Sequence, residues 1–252
     1  MDVPSKSKAD KAGDTLKRFV RDGGALADAM ADDRLRESVA TVQAWRAQYG
    51  QPLTGAAMGL RSMIATCGIA ARPTQRQKRL ERIIQKLARP TTTRLSTMQD
   101  IAGVRVVVPD VASLRRLQHH IEKTWNIDNT RTSGVVIAQA TSDYITTPRS
   151  SGYRAMHLLV KYNERLVEVQ LRTTHQHFWA ELSEHVSREI EIELKAGEAP
   201  SPIADFFINL GTRVQALDEG DDSPWTLGLN LHPWGGQMLE VRYGPLGPEE
   251  PS

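Results

Sequence analysis

Two carboxylates in this chain stand where strands are expected. In "LVEVQLR" (Leu166–Arg172), Val167, Val169 and Leu171 alternate with Glu168, Gln170 and Arg172. A period of two puts the apolar residues on one face and an acid, an amide and a guanidinium on the other. A strand half-buried at a protein surface has the same pattern, and so does one that faces a substrate. Asp100 precedes a second such segment, "IAGVRVVV", which also carries Arg105. Acids on adjacent strands can share a magnesium ion, which prefers hard oxygen ligands and bridges substrate phosphates. Spacing alone does not bring Asp100 and Glu168 together, and each also suits a surface or capping role. Counter-charge for phosphates is at hand. Eight Arg or Lys residues lie from Arg72 to Arg94 against the single acid Glu81, while the chain after Glu181 is mostly acidic. Such asymmetry fits either a polyanion site or solvated helix faces.

A third feature is aromatic. "SSGYRAMHLLV" places Tyr153 at a strand entry, where its ring could stack on a nucleotide base or simply pack at a strand edge. Other groups carry less. His175 and His177 are spaced i, i+2 on a helix and do not share a face, which argues against zinc. His157 reads as a packed or orienting histidine, Cys67 has no catalytic context, and no glycine-rich phosphate loop of the G-x-x-x-x-G-K-S type occurs.

The elements that must hold these residues follow from periodicity. Residues 1–24 are polar and Lys-rich and read as a loose arm. Helices are expected from Leu26 to Tyr49 and from Leu53 to Cys67. In "RQKRLERIIQKLAR", Leu80, Ile83, Ile84 and Leu87 form one stripe, with Arg79, Arg82, Lys86 and Arg89 roughly opposite. "VRVVV", "GVVIAQA", "MHLLV" and "LVEVQLR" read as strands, the last two joined through "KYNER" as a hairpin. Helices are expected over "PDVASLRRLQHHIEK" and from Thr174 to Leu194. Another follows an N-cap at Ser201, with Pro202 in its first turn. The end, "LGPEEPS", reads as frayed. The sum is an α/β (α+β) chain in which helices flank a mixed, mainly antiparallel sheet.

Bulk properties narrow the class. The chain has 252 residues, 40% hydrophobic and 25% charged, with a net charge of +2. No apolar run reaches the length of a membrane span, and the N-terminus lacks a signal-peptide core. A single cysteine excludes an internal disulfide and a cysteine-rich metal site, so a reducing, cytoplasmic setting is expected.

Five segments in order carry a resemblance: Arg76-x-Lys78, "IIQKLAR", "MQDIAGVRVVV", "DYITTPRSSGYRAMHLLV" and "VEVQLRTTHQHFWAEL". Together they resemble the synthetase domain of the RelA/SpoT homologue family over about residues 75–195. The resemblance implies a nucleotidyltransferase-like synthetase domain over 25–218, with 219–252 as a C-terminal tail. It implies pyrophosphate transfer from ATP to the 3′-hydroxyl of GDP or GTP, giving the alarmones (p)ppGpp. Arg76, Lys78, Lys86 and Arg105 would then be ATP-side residues, and Asp100 the Mg2+ ligand. Glu168 would help hold the metal and act as general base. Tyr153 would stack on the acceptor base, supported by Arg149, His157 and Gln170.

Departures from the family pattern matter as well. Arg82 stands where many relatives have Ser, and Ser142 where small synthetases often carry a basic residue before "DYI". No His-Asp hydrolase motif occurs, so a stand-alone synthetase that cannot degrade its product is expected. These departures also suit the toxic branch of small synthetases. That branch pyrophosphorylates the 3′ CCA end of tRNA or makes adenosine alarmones, and its members pair with an antitoxin. Small family members also form homo-oligomers. A third class, a catalytically dead nucleotide-binding relative, sits poorly with the retention of Asp100, Tyr153 and Glu168.

Overall fold

The computed structural model describes residues 3–90, 92–126, 134–190 and 200–244. The chain divides into two compact units. The first comprises Met1–Val106, Leu117–Thr141 and Leu158–Gln170, and the second Val107–Arg116, Ser142–His157 and Leu171–Ser252. Among the described residues no helix is long and apolar enough to cross a membrane.

The first unit opens with α1 (Lys6–Arg21), not with a loose arm. Ser5 caps it by accepting from the Lys8 N–H, and its buried face is Ala9, Ala12, Gly13 and Leu16. Such small residues leave no conventional apolar stripe, yet they let α1 lie close to its neighbours. A Cβ on Gly13 would stand 3.2 Å from the Leu87 side chain. The expected single helix over 26–49 is shorter. A 3-10 turn at Asp28–Met30 precedes α2 (Asp33–Ala47), whose N-cap Asp32 accepts from the Leu35 N–H. Gly50 then starts α3 (Gly50–Thr66), three residues before the expected Leu53, because Pro52 fits a first helical turn.

Beyond α3 come β1 (Pro73–Gln77), α4 (Leu80–Ala88) and β2 (Ala102–Val108). In α4 three residues of the expected stripe, Ile83, Ile84 and Leu87, are buried, while Leu80 at the first position is only partly covered. Helix α5 (Val111–Thr124) is followed by β3 (Val135–Ile137) and β4 (Ser142–Asp143). The hairpin β5 (Met156–Tyr162) and β6 (Arg165–Thr173) turns through Asn163 and Glu164. Their φ values are +46° and +61°, the double left-handed pattern that suits a twisted two-residue hairpin turn. The sheet runs β1-β2-β6-β5-β3, with β4 on β5, and the β1–β2, β3–β5 and β4–β5 pairings are antiparallel. Val167, Val169 and Leu171 of β6 are fully buried, as the alternation requires.

The second unit is built on α6 (Thr174–Glu189) and α7 (Ser201–Asp218). Thr173 and Gln176 cap α6 reciprocally, each side chain serving the other's backbone N–H. Residues 191–194, expected at the end of this helix, lie outside the described residues. Pro200 rather than Ser201 is the N-cap of α7, and the Ser201 hydroxyl turns to Asp205 instead. An aromatic-rich core of Tyr153, Trp179, Phe206 and Phe207 joins both helices. The expected C-terminal tail holds an antiparallel hairpin, β7 (Trp225–Asn230) with β8 (Met238–Tyr243), and Leu229 and Val241 point into that core. "LGPEEPS" falls outside the described residues, which end at Gly244.

Candidate active site

In the first unit the expected ATP-side residues form two groups. β1 pairs with β2 so that Arg76 lies opposite Gly103, and Thr74 opposite Arg105. Directly opposed residues point to the same side of a sheet, so Arg76 and Arg105 share a face. It is the less buried face, since Ala102, Val104 and Val106 fill the other. Next to it, the Lys78 N–H donates to the Ile101 carbonyl (2.8 Å) and anchors the end of β1 against the start of β2.

Asp100 is clamped between two lysines. The ammonium groups of Lys78 and Lys86 donate to its Oδ2 at 2.9 and 2.7 Å. The three residues come from a strand end, a helix and a loop, and only the fold brings them together. Burial is the largest single influence on Asp100 and pushes its carboxyl up. The two ammonium groups together outweigh it and hold the carboxyl below the usual carboxylate range. Its second oxygen, Oδ1, is buried and has no hydrogen-bond partner among the described residues. An ionised carboxylate with one oxygen bonded and the other unbonded suits a hard divalent cation. Among the described residues no cluster of three or more His, Cys, Asp or Glu could hold a metal unaided. Magnesium needs no such cluster, because one or two carboxylates plus substrate phosphates and water complete its shell. The donor set therefore fits the expected ion.

Glu168 lies half-buried on β6, and the Gln170 amide donates to its Oε2 at 2.8 Å. A Cβ on Gly103 would approach the Glu168 carbonyl to 3.3 Å, so glycine permits close passage of β2 beside β6 here. Gln170, expected on the acceptor side, thus hydrogen-bonds Glu168 within the first unit.

The second unit holds the aromatic residue and its neighbours. Tyr153 is 3% exposed, so its ring is not presented to solvent as a stacking platform would be. Its hydroxyl is paired with His157 Nε2 (2.8 Å) and accepts from Arg172 Nη2 (2.9 Å). Arg172 is itself buried, so the third polar residue of the "LVEVQLR" pattern supports the tyrosine from within. The Tyr144 ring lies 6.2 Å from that of Tyr153, and the Arg149 guanidinium lies 5.7 Å from the Tyr153 centroid. The Arg149 guanidinium lies 4.4 Å from the Tyr144 centroid and donates to the Tyr144 hydroxyl. The exposed member of this group is Arg149, and Tyr144 is its half-buried partner.

Sequence reasoning did not single out the residues that hold this loop. Asp143 Oδ2 accepts from Arg115 (2.7 Å) and from the Thr146 hydroxyl (2.9 Å), while Oδ1 accepts the backbone N–H groups of Ile145 and Thr146. Burial would raise this carboxyl, but those bonds, led by Arg115, hold it at about 2. The "DYI" motif was a visible signal. Its ion-pair partner, 28 residues earlier on α5, was not.

Residues 75–189 match the model for the region found in RelA/SpoT proteins. Over that segment the chain is similar to RelA/SpoT proteins. The GTP pyrophosphokinase YjbM of Bacillus subtilis is 29% identical over 163 residues, 56% of this chain and 72% of that protein. A GTP pyrophosphokinase family protein from Streptococcus pneumoniae superposes with a TM-score of 0.55 at 28% identity, over 68% of this chain and 86% of that one. Small alarmone synthetase 1 from Bacillus subtilis, solved with its product pppGpp, shares the fold, with a TM-score of 0.57 at 23% identity. That superposition covers 68% of this chain and 89% of that one. The RelA/SpoT match spans every residue singled out above for chemistry, from Arg76 to Arg172.

Proposed function

We propose that this protein transfers pyrophosphate from ATP to the 3′-hydroxyl of GDP or GTP, producing (p)ppGpp. The observation that carries the reading is Asp100, kept ionised by Lys78 and Lys86 with Oδ1 unbonded. Relatives named GTP pyrophosphokinases support the choice of acceptor.

In this reading Arg76, Lys78, Lys86 and Arg105 neutralise and align the ATP phosphates. Phosphoryl-type transfer depends chiefly on alignment and charge stabilisation, so a covalent enzyme intermediate is unnecessary. Asp100, with Glu168, would hold Mg2+, which when bound draws negative charge from the phosphates. Glu168, oriented by Gln170, accepts the proton of the 3′-hydroxyl. The freed oxygen bonds to the β-phosphorus of ATP as the bond from that phosphorus to the α–β bridging oxygen breaks, and AMP leaves. Tyr153, backed by His157 and Arg172, with Arg149 over Tyr144, forms the acceptor side. A base that stacks on Tyr153 would displace the Arg149 guanidinium from over its ring.

The test is acceptor identity. The purified chain is incubated with magnesium and ATP labelled at its β- and γ-phosphates. GDP, GTP, AMP, ADP, ATP and deacylated tRNA are offered in parallel. Label on GDP or GTP is the expected result. Label confined to tRNA or adenine nucleotides would replace this acceptor with that of the toxic branch. No transfer to any acceptor would leave only nucleotide binding.

A further inference from the structure

The RelA/SpoT match ends at residue 189, and α7 lies beyond it. Even so, α7 meets the loop carrying Arg149 and Tyr153 at three points. Gly152, with φ at +83°, faces the α7 backbone, and a Cβ there would stand 2.7 Å from the Phe207 carbonyl oxygen. The approach is reciprocal, since a Cβ on Gly211 would stand 2.5 Å from the Gly152 carbonyl oxygen. Backbone meets backbone, with no flexible side chain to yield. Arg154 makes the second contact, donating to the Ile145 carbonyl (2.6 Å) and to Gln215 Oε1. Trp179 makes the third. Its indole N–H donates to the Phe207 carbonyl (2.9 Å), and its ring packs edge-on against Tyr153 at 5.7 Å. The loop is thus held at Ile145, at Gly152 and beneath the Tyr153 ring.

We propose that α7 fixes the acceptor loop, with Gly211 and Gln215 as positioning residues that set acceptor use and leave ATP binding alone. The inference rests on the acceptor role given above to Tyr153 and Arg149. A helix that merely filled the core would lower stability when altered, without separating the two substrates. A helix that aims the loop moves one substrate's constants and not the other's.

Three variants of the full chain test it: Gly211→Ala, Gln215→Leu, and Gln215→Glu, which keeps the oxygen that Arg154 uses. Amide hydrogen exchange over residues 143–153 reads the loop directly. Steady-state kinetics at saturating ATP give the KM for GDP, and titration gives the ATP Kd. Gly211→Ala and Gln215→Leu should speed exchange in the loop and raise the acceptor KM about tenfold, with the ATP Kd within about twofold. Gln215→Glu should return both readouts towards wild type. Unchanged loop exchange in Gly211→Ala and Gln215→Leu would overturn the proposal, as would an equal loss of ATP affinity. If Gly211→Ala does not fold, Gln215→Leu alone decides both readouts. Exchange needs no acceptor, so a wild-type chain that transfers nothing to guanine nucleotides would sink the functional reading while the loop measurement still decides this one.

Discussion

Replacing Asp143 by Asn isolates the electrostatics of the loop that carries Tyr144 and Arg149. The amide keeps Oδ1 for the N–H groups of Ile145 and Thr146 but turns an NH2 towards Arg115 and the Thr146 hydroxyl, both donors. The carboxyl of Asp143 sits at about 2 in the folded chain against an ordinary 3.8. Each pH unit of such a difference corresponds to about 1.4 kcal/mol. With its side chain 29% exposed, screening trims the total to about 2 kcal/mol at neutral pH. Because the folded value is depressed, this stability is full well above pH 3.8 and is lost as pH falls towards 2. About half of it remains at pH 3. Asn has no such titration. Thermal scans should therefore show Asp143→Asn melting roughly 4–8 °C below wild type at pH 7, with the gap closing between about pH 4 and pH 2. A gap that stays constant down to pH 3 would refute the charge argument and leave a packing defect.

Other perturbations separate the remaining roles. Glu168→Gln should abolish transfer while ATP binds nearly as before, measured by single-turnover assay and titration, and surviving turnover would remove the general-base role. Lys86→Met leaves Asp100 with Lys78 alone. It should weaken ATP binding by about tenfold, and an unchanged Kd would take Lys86 off the phosphates. Arg21 donates to the Ala88 and Arg89 carbonyls at the end of α4. Arg21→Ala should cost about 1 kcal/mol and weaken ATP binding a few-fold, and a stability loss with intact ATP affinity would restrict Arg21 to a structural part.

Periodicity revealed what period alone can encode. The α4 stripe of Ile83, Ile84 and Leu87, the buried Val167, Val169 and Leu171, and the hairpin connection through "KYNER" were all legible because each depends on neighbours in sequence, though its two-residue turn at Asn163 and Glu164 was not. What depends on distant partners was not. Helix α1 buries Ala9, Ala12 and Gly13, residues too small to mark a face until α4 and Leu95 are known to press on them. The C-terminal hairpin was hidden by six-residue strands, one holding Gly228, with Pro224, Pro233, Gly235 and Gly236 around them, although Leu229 and Val241 anchor it. At the site, residue types pointed to Asp100 and Glu168, and the ordered segments gave them roles. The lysine clamp, the burial of Tyr153 and the Arg115–Asp143 pair needed the fold.

Helix α1 also sets an order of events during synthesis. Arg21 finds its α4 carbonyls 67 residues later in the chain, and Asp10 finds the Ser96 N–H and hydroxyl 86 residues later. At about 5–20 residues per second, α1 waits roughly 3–17 s on the ribosome for the surfaces that bury it. Throughout that interval its alanine face is exposed and the lysine clamp has no complete framework. The surfaces that bury the first helix, α4 and the segment leading to Asp100, therefore become available only once residue 96 has been made.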